Sequence, residues 1–175
     1  LIEYTKKAID FAEAIGCKNL VFGCPKNRVL SEDVSPDIAI PFFKEIGDYA
    51  FEHGTCIGME ANPLIYNTNY INDTESALEL IEQVNSEGFK LNLDFGTMIY
   101  NEEIPAVLKD KIKLINHVHV SEPMLKAINE RGLHQKIKDI LVNEDYQGFI
   151  SIEMGKVEDL AVLKDTMHYV KGVFS

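Results

Sequence analysis

Four stretches of the sequence place a metal-ligating side chain directly after a short apolar run. These side chains are Glu60, Asp94, His119 and Glu153, in the phrases GMEAN, LDFGTM, HVHVSEP and GFISIEM. They follow one another at intervals of roughly 30 residues, about the length of one strand–helix unit in a parallel α/β protein. The carboxyl ends of parallel barrel strands lie on one face, where the active site is built, so we expect the four side chains to meet there.

Three carboxylates and an imidazole form a mostly hard ligand set. This set suits one divalent ion, Mn²⁺, Mg²⁺ or Co²⁺, and Zn²⁺ is also possible. Without an ion, neighbouring carboxylates would repel one another and a pKa would rise, and a bound cation removes that conflict. The alternative for each residue taken alone is a hydrogen bond to a neighbouring loop.

Other polar residues near the predicted strand ends are candidates for substrate binding: Arg28, Asn62, His117 and His134. Arg28 could hold an anion or a hydroxyl group, or be an exposed surface arginine. Asn62 shares a face with Glu60 and could hold a substrate oxygen or orient that carboxylate. His117 lies one layer deeper, where a hydrogen-bonded core histidine is an equal alternative. His134 lies on a possible strand end or else begins a helix.

The elements that position these residues alternate between helix and strand. Helical periodicity predicts helices at 4–15, 37–52, 75–86, 103–110, 135–144 and 157–172. Apolar runs predict at most six strands, at 19–23, 57–60, 91–94, 112–120, 133–134 and 149–153. Strict alternation implies parallel strands joined by crossover helices, which makes the fold class α/β.

Composition limits the functions that this chain can have. Its 175 residues suffice for a single domain over residues 1–175, and no apolar run comes near the roughly 18 residues that span a membrane. A net charge of −11 disfavours binding to nucleic acid, which needs clustered Lys and Arg. Three cysteines without metal-finger spacing indicate free thiols, and free thiols favour the cytoplasm.

The four ligand candidates and the phrases around them together resemble the xylose isomerase-like TIM-barrel superfamily. This group contains sugar-phosphate isomerases and epimerases together with the endonuclease IV-type enzymes. The resemblance covers nearly the whole chain and implies a TIM-barrel fold with one divalent metal ion at the four matching positions. It also implies that Glu60 and Glu153 are an acid–base pair, which transfers a proton through a metal-stabilised enediolate of a carbohydrate substrate.

The resemblance also implies roles for residues outside the ligand set. Glu122 stands where the epimerases contact substrate, and His134 stands where endonuclease IV-like members place a metal- or phosphate-binding histidine. Two positions depart from the family pattern. Many members carry a histidine where this chain has Thr97, and the epimerases often carry an arginine where it has Leu125. The first departure argues against a multi-zinc nuclease site.

The predicted strands are fewer than the family barrel requires. That barrel has eight strands, whereas six at most are predicted here, and the first two units are the ones without a counterpart. The chain also opens on Leu1 rather than on methionine, so we expect an N-terminally truncated barrel. A sheet that does not close leaves two unpaired parallel edges, which favour association, and we therefore expect a homo-oligomer.

Three hypotheses of function follow from these observations. The leading one is a divalent-metal-dependent isomerase or epimerase that acts on a sugar, a sugar phosphate or a related polyol. The second is an endonuclease IV-like phosphodiesterase that acts on abasic DNA, and the acidic net charge weighs against it. The third is a non-catalytic barrel fragment that serves in binding or assembly.

Overall fold

The centre of the molecule is a five-stranded parallel sheet, in a computed structural model that describes residues 1–175. The strands lie in the sheet in chain order: β1 (Leu20–Phe22), β2 (Ile57–Met59), β3 (Phe89–Asp94), β4 (Ile115–Val120) and β5 (Phe149–Ile152). Every neighbouring pair is parallel. Successive parallel strands with helices between them form the repeating unit of a TIM barrel, so the predicted fold class is confirmed.

Helices connect the strands and cover one face of the sheet. They are α1 (Ile2–Ile15), α2 (Ala39–Glu52), α3 (Thr74–Val84), α4 (Phe95–Tyr100), α5 (Gly132–Asn143) and α6 (Leu160–Phe174). None of them is both long and apolar enough to cross a membrane. Residues 103–110 were predicted as a helix but contain only a 3₁₀ turn at Pro105–Leu108, and the unpredicted α4 follows β3 without a loop.

The predicted sixth strand at 133–134 is wrong. These two residues lie in the first turn of α5, which begins at Gly132. A run of two residues is too short to distinguish a period of two from a period of 3.6, so its neighbours decide its conformation. Five strands, rather than six, therefore carry the site.

Local sequence signals explain most helix boundaries. Gly16 ends α1 in the left-handed conformation, with a φ of 71°, as the sequence predicted. Asp73 caps α3 because its carboxylate accepts a hydrogen bond from the backbone N–H of Ser76 at 2.8 Å. Pro41 falls in the first turn of α2, which begins late at Ala39, and there its missing N–H leaves no helical hydrogen bond unmade.

Side chains alternate between the two faces of the sheet. Leu91 and Leu93 of β3 and Val118 and Val120 of β4 point to the convex face, where the helices bury them almost completely. Burial of an aliphatic side chain of this size contributes roughly 1.5–3 kcal/mol to folding. The concave face carries the polar residues of the same strands, so packing of the apolar set aims the polar set at the interior of the curve.

The sheet is strongly curved. Asn19, directly before β1, accepts a hydrogen bond from the amide of Asn116 in β4 at 2.5 Å, although β2 and β3 lie between them. Gly58 of β2 makes this approach possible, since a Cβ atom at that position would lie 3.0 Å from Oδ1 of Asn19. The curvature brings side chains from non-adjacent strands into contact on the concave face.

One irregularity interrupts the pairing of β3 with β4. Leu91 pairs with Ile115, but the next residue, Asn92, pairs with His117, so Asn116 is an extra residue in β4. After this bulge Asp94 lies directly opposite His119. The bulge therefore sets the register of two of the predicted metal ligands.

Both outer strands of the sheet have a free edge. β1 pairs only with β2, and β5 pairs only with β4. A groove of about 960 Å³ runs between β5 and α6, and Phe149 on the edge strand is largely exposed. These edges are the feature on which the expected homo-oligomer depends.

Candidate metal centre

The four predicted ligands converge at the carboxyl ends of four neighbouring strands. Asp94 and His119 lie in β3 and β4, and Glu60 and Glu153 directly follow β2 and β5. One ligand atom from each residue lies within 4.8 Å of the other three. Nδ1 of His119 is 3.1 Å from Oε2 of Glu60 and 3.4 Å from Oε2 of Glu153. The structure brings together the whole set that the sequence spacing selected.

Asp94 is held in place by hydrogen bonds from α4 and from the loop after β4. Its Oδ1 caps α4 by accepting from the backbone N–H of Thr97 at 2.6 Å and from the hydroxyl of Thr97 at 2.9 Å. Its Oδ2 accepts a short hydrogen bond from the hydroxyl of Ser121. The carboxylate therefore has little freedom to rotate, as is usual for a metal ligand with supporting partners.

The electrostatics of the cluster fit a bound cation. Burial, together with the nearby charge of Glu60, raises the pKa of Asp94 to about 6. Burial alone would lower the pKa of His119, but hydrogen bonds to Glu153 and Glu60 outweigh it and raise the pKa to about 10. The imidazolium thus acts as counter-ion to crowded carboxylates, and a divalent cation could replace it. Three carboxylate oxygens and one imidazole nitrogen at this spacing fit Mn²⁺, Mg²⁺ or Co²⁺.

Glu60 is confined on two sides. A Cβ atom at Gly23, just after β1, would lie 2.6 Å from Oε1 of Glu60, so any other residue there would displace the carboxylate from this position. On the other side Oε2 of Glu60 accepts a hydrogen bond from the side-chain amide of Asn92 at 2.6 Å. The position of this carboxylate is therefore set by β1 as well as by β3.

A cavity of about 160 Å³ opens beside the ligand cluster. Three of the four ligands line it, and the loops after β1, β2 and β4 together with α4 supply the other walls. Side chains on these walls include Asn62, Tyr66, Thr97, Glu122 and Leu125. The space is polar at the ligand end and large enough for a small molecule only.

Two of the predicted substrate residues line this cavity, but both are already hydrogen-bonded. The side-chain amide of Asn62 donates to the backbone carbonyl of Glu60 at 3.1 Å, which supports the orienting role that the sequence suggested. Both carboxylate oxygens of Glu122 accept hydrogen bonds from Arg131, each at 2.6 Å. Glu122 also accepts from the backbone N–H of Asn129 at 3.2 Å. Its carboxylate therefore anchors the loop after β4.

Arg28 and His117 lie outside the cavity lining. Arg28 is 1% exposed, donates a short hydrogen bond to the carbonyl of Phe22, and packs over that ring at 5.4 Å. Burial lowers the pKa of Arg28 to about 10. His117 lies deeper in the curve, where its Nε2 is 2.6 Å from the hydroxyl of Ser151. His117 therefore makes the buried hydrogen bond that was its alternative to substrate contact. The alternative for Arg28, an exposed surface arginine, is wrong because the side chain is buried.

His134 lies in the helix layer rather than in the cavity. It is fully buried in the first turn of α5, where its ring stacks on Phe95 at 5.4 Å and its Nδ1 lies 2.9 Å from the hydroxyl of Tyr169. Of the two positions that the sequence allowed, the helix start is the correct one. The histidine for which the resemblance implied a metal- or phosphate-binding role therefore lies away from the ligand cluster.

Sequence reasoning missed two residues beside the ligands. Tyr66 was not among the candidates, yet it lines the cavity, and its hydroxyl accepts a hydrogen bond from the backbone N–H of Met124 at 2.9 Å. Met124 has a φ of 61°, which is uncommon for a residue other than glycine, so this contact stabilises an unusual turn. Asn92 lies two residues before Asp94 and shares its face of the strand. His117 became a candidate because it lies two residues before His119, and the same reasoning would have identified Asn92.

Comparison with known proteins agrees with the fold. The family model described as "Xylose isomerase-like TIM barrel" matches residues 1–171. The chain belongs to this family. The predicted membership is therefore confirmed, and a search of curated proteins by sequence finds no match.

Solved structures of this family align over nearly the whole chain. A D-psicose 3-epimerase from Clostridium cellulolyticum H10, in a structure with D-tagatose, aligns with a TM-score of 0.80 and 12% identity over 99% of this chain and 70% of its own. A 3-keto-D-glucoside 4-epimerase from E. coli aligns with a TM-score of 0.78 and 17% identity over 98% of this chain and 70% of its own. A xylose isomerase-like TIM barrel protein from Mycobacterium smegmatis, in complex with magnesium, aligns with a TM-score of 0.71 and 19% identity over 99% of this chain and 66% of its own. At these identities the alignments show a shared fold.

Proposed function

We propose that the protein is a divalent-metal-dependent isomerase or epimerase of an uncharged sugar or related polyol. The observation that carries this proposal is the convergence of Glu60, Asp94, His119 and Glu153 within 4.8 Å at the carboxyl ends of parallel strands. Two solved relatives with this fold are described as sugar epimerases, and a third as a complex with magnesium. When bound, a divalent cation supplies a Lewis acid that polarises a substrate carbonyl.

In this proposal Glu60 and Glu153 transfer protons to and from carbon. Glu60 follows β2 and Glu153 follows β5, with β3 and β4 between them, so their carboxylates approach the site from opposite sides. In this proposal one glutamate removes the proton from the carbon next to the carbonyl, and the other returns a proton to the opposite face. Return to the same carbon gives an epimer, and return to the former carbonyl carbon gives an isomer.

Neutral polar groups around the cavity suit a polyhydroxylated substrate. The hydroxyl of Tyr66 accepts a hydrogen bond from Met124, which leaves its own proton free to bond a substrate oxygen. Asn62 is 4% exposed and holds the backbone of Glu60, so it orients a proposed catalytic group. The hydrogen bond from Met124 to Tyr66 joins the loop after β2 to the loop after β4 beside the cavity.

The charges around the cavity favour an uncharged substrate over a sugar phosphate. The residues that line it include four carboxylates and neither lysine nor arginine. Arg131, in the loop after β4, donates to Glu122 through both Nε and Nη2. Arg28 is buried against the ring of Phe22. A phosphate group would therefore enter a space that no lysine or arginine of this chain lines.

Hydrogen exchange at carbon tests the proposed reaction. The protein would be loaded with Mn²⁺ and incubated in D₂O with a panel of uncharged ketoses and their phosphates. Deuterium incorporation into an uncharged sugar next to its carbonyl is the expected result. Glu153→Gln should abolish incorporation, whereas Glu158→Gln, a matched change at a 90% exposed side chain in the same loop, should not.

Each outcome of this experiment has a defined meaning. Incorporation only into phosphorylated sugars would contradict the uncharged substrate while leaving the reaction type intact. Incorporation that survives Glu153→Gln would remove this residue from the proposed pair. Absence of both Mn²⁺ binding and exchange would overturn the proposed function.

A further inference from the structure

A fully buried amide lies directly beneath the ligand cluster. Asn92 is 0% exposed and occupies the middle of β3, two residues before Asp94 and on the same face. Its Nδ2 lies 2.6 Å from Oε2 of Glu60 on one side and 3.2 Å from Nδ1 of His119 on the other. No other side chain outside the ligand set lies within hydrogen-bond distance of the side chains of two ligand candidates.

The side chain of Asn92 packs against Gly58 of the neighbouring strand β2. A Cβ atom on Gly58 of β2 would come within 3.1 Å of the Cβ atom of Asn92, so the absent side chain creates the space that Asn92 fills. On the far side of Gly58, Asn19 and Asn116 are hydrogen-bonded to each other. A layer of neutral amides thus forms the floor of the metal centre.

Fold stability does not explain this amide. Oδ1 of Asn92 is buried and has no hydrogen-bond partner. A buried acceptor without a partner destabilises the folded state, and an apolar side chain of the same size would remove that penalty. The two contacts made by Nδ2 go to ligand candidates, so the benefit of the residue lies at the metal centre.

We propose that Asn92 is a positioning residue for the metal ion of the proposed function, on which this inference rests. Its amide donates to Oε2 of Glu60 and so holds that carboxylate at ligand spacing from His119 before the ion arrives. An amide can order a carboxylate without adding a positive charge, so it does not compete with the incoming cation as lysine or arginine would. Residues that orient metal ligands typically change metal affinity about 10- to 100-fold when they are replaced.

Calorimetric titration with Mn²⁺ tests this role in the unsubstituted protein and in Asn92→Ala, Asn92→Leu and Asn116→Ala. The first two variants should bind Mn²⁺ about 10- to 100-fold more weakly. Asn116→Ala removes an amide from the same layer that contacts no ligand candidate, and its affinity should equal that of the unsubstituted protein. The visible absorption spectrum of bound Co²⁺ should change only in the Asn92 variants, because it reports the arrangement of the ligands.

Thermal melts of the metal-free proteins separate positioning from folding. Asn92→Leu should melt at the same temperature as the unsubstituted protein or higher, since the unpaired Oδ1 is gone. Should that variant not fold, the smaller Asn92→Ala decides. Unchanged Mn²⁺ affinity and Co²⁺ spectrum in a folded Asn92 variant would overturn this inference alone. Failure of the unsubstituted protein to bind any divalent ion would overturn it together with the proposed function.

Discussion

Glu122 and Arg131 form a two-point ion pair, in which Nε and Nη2 of Arg131 each lie 2.6 Å from a different carboxylate oxygen of Glu122. The carboxylate is 3% exposed and the guanidinium 35% exposed. A pair of this geometry fixes the loop after β4 over the cavity, because it joins the two ends of that loop. Hydrogen bonds to this anion lower the pKa of Glu122 in spite of its burial.

The first prediction concerns this ion pair. Arg131→Ala leaves a buried carboxylate without its partner and should lower the free energy of unfolding by about 2 kcal/mol, allowing for the partial exposure of the arginine. Chemical denaturation measures the change. Lys156→Ala removes one partner of an exposed pair, with Glu158, and should have almost no effect. Equal stability of the two variants would contradict a structural role for Glu122.

The second prediction concerns the proton that a metal ion displaces. The pKa of His119 is raised to about 10, so the imidazole is protonated at pH 8, and Nδ1 must lose its proton to bind a metal. Binding of Mn²⁺ at pH 8 should therefore release about one proton per ion. Titration calorimetry in two buffers of different ionisation enthalpy measures this number. The same heat in both buffers would contradict a protonated His119 that gives up its proton to the metal ion.

The third prediction concerns the stability of the metal-free protein at acid pH. Folding raises the pKa of Asp94 from 3.8 to about 6, so the folded state binds the proton more tightly than the unfolded state. The stabilising contribution of this protonation is complete below pH 3.8 and is lost as pH rises through 6. The loss amounts to about 3 kcal/mol.

The substitution Asp94→Asn isolates this contribution. Asparagine keeps the cap of α4, since it is as good a capping residue as aspartate, but it does not titrate. The difference in free energy of unfolding between the two proteins, measured with a chelator present, should shift in favour of the asparagine variant as pH rises from about 4 to about 6.5. A difference that stays constant over this range would contradict the raised pKa.

The fourth prediction concerns the glycine beside Glu60. In Gly23→Ala the new Cβ atom would lie 2.6 Å from Oε1 of Glu60, and the carboxylate would have to move. We expect Mn²⁺ affinity to fall about 10-fold, as for other changes that displace a ligand. Gly132→Ala, where nothing lies within 4 Å of the new Cβ atom, is the matched control. Equal affinity of both variants would place the ion away from Glu60.

The ligand set could be predicted because two simple regularities determine it. Strand ends recur once in each strand–helix unit, and alternate residues of a strand share a face, so Glu60 and Asp94 are aligned by chain geometry alone. The apolar residues between them pack on the helices and leave only one face for the polar ones. These regularities are local in sequence and are therefore visible without coordinates.

Contacts between distant segments could not be predicted in the same way. Glu122 was expected to touch substrate, but a salt bridge to Arg131 at the far end of the same loop occupies it, and the periodicity of the sequence does not reveal a contact between two loop residues. The sequence left His134 on a possible strand end or at a helix start, and in the structure α5 begins at Gly132 and buries the ring against Phe95. In both cases tertiary packing chose between conformations that the local sequence left equally available.

The additional residue in β4 separates two apolar positions that would otherwise follow strict alternation. Ile115 and Val118 both face the helices, although they are three positions apart, and the bulge at Asn116 reconciles them. If the strand ran regularly from Ile115, His117 and His119 would turn toward the helices and Val118 would enter the cavity. A homologue that lacks the counterpart of Asn116 could therefore keep the same metal centre with a regular strand, and its ligands would correspond to these only across a one-residue gap.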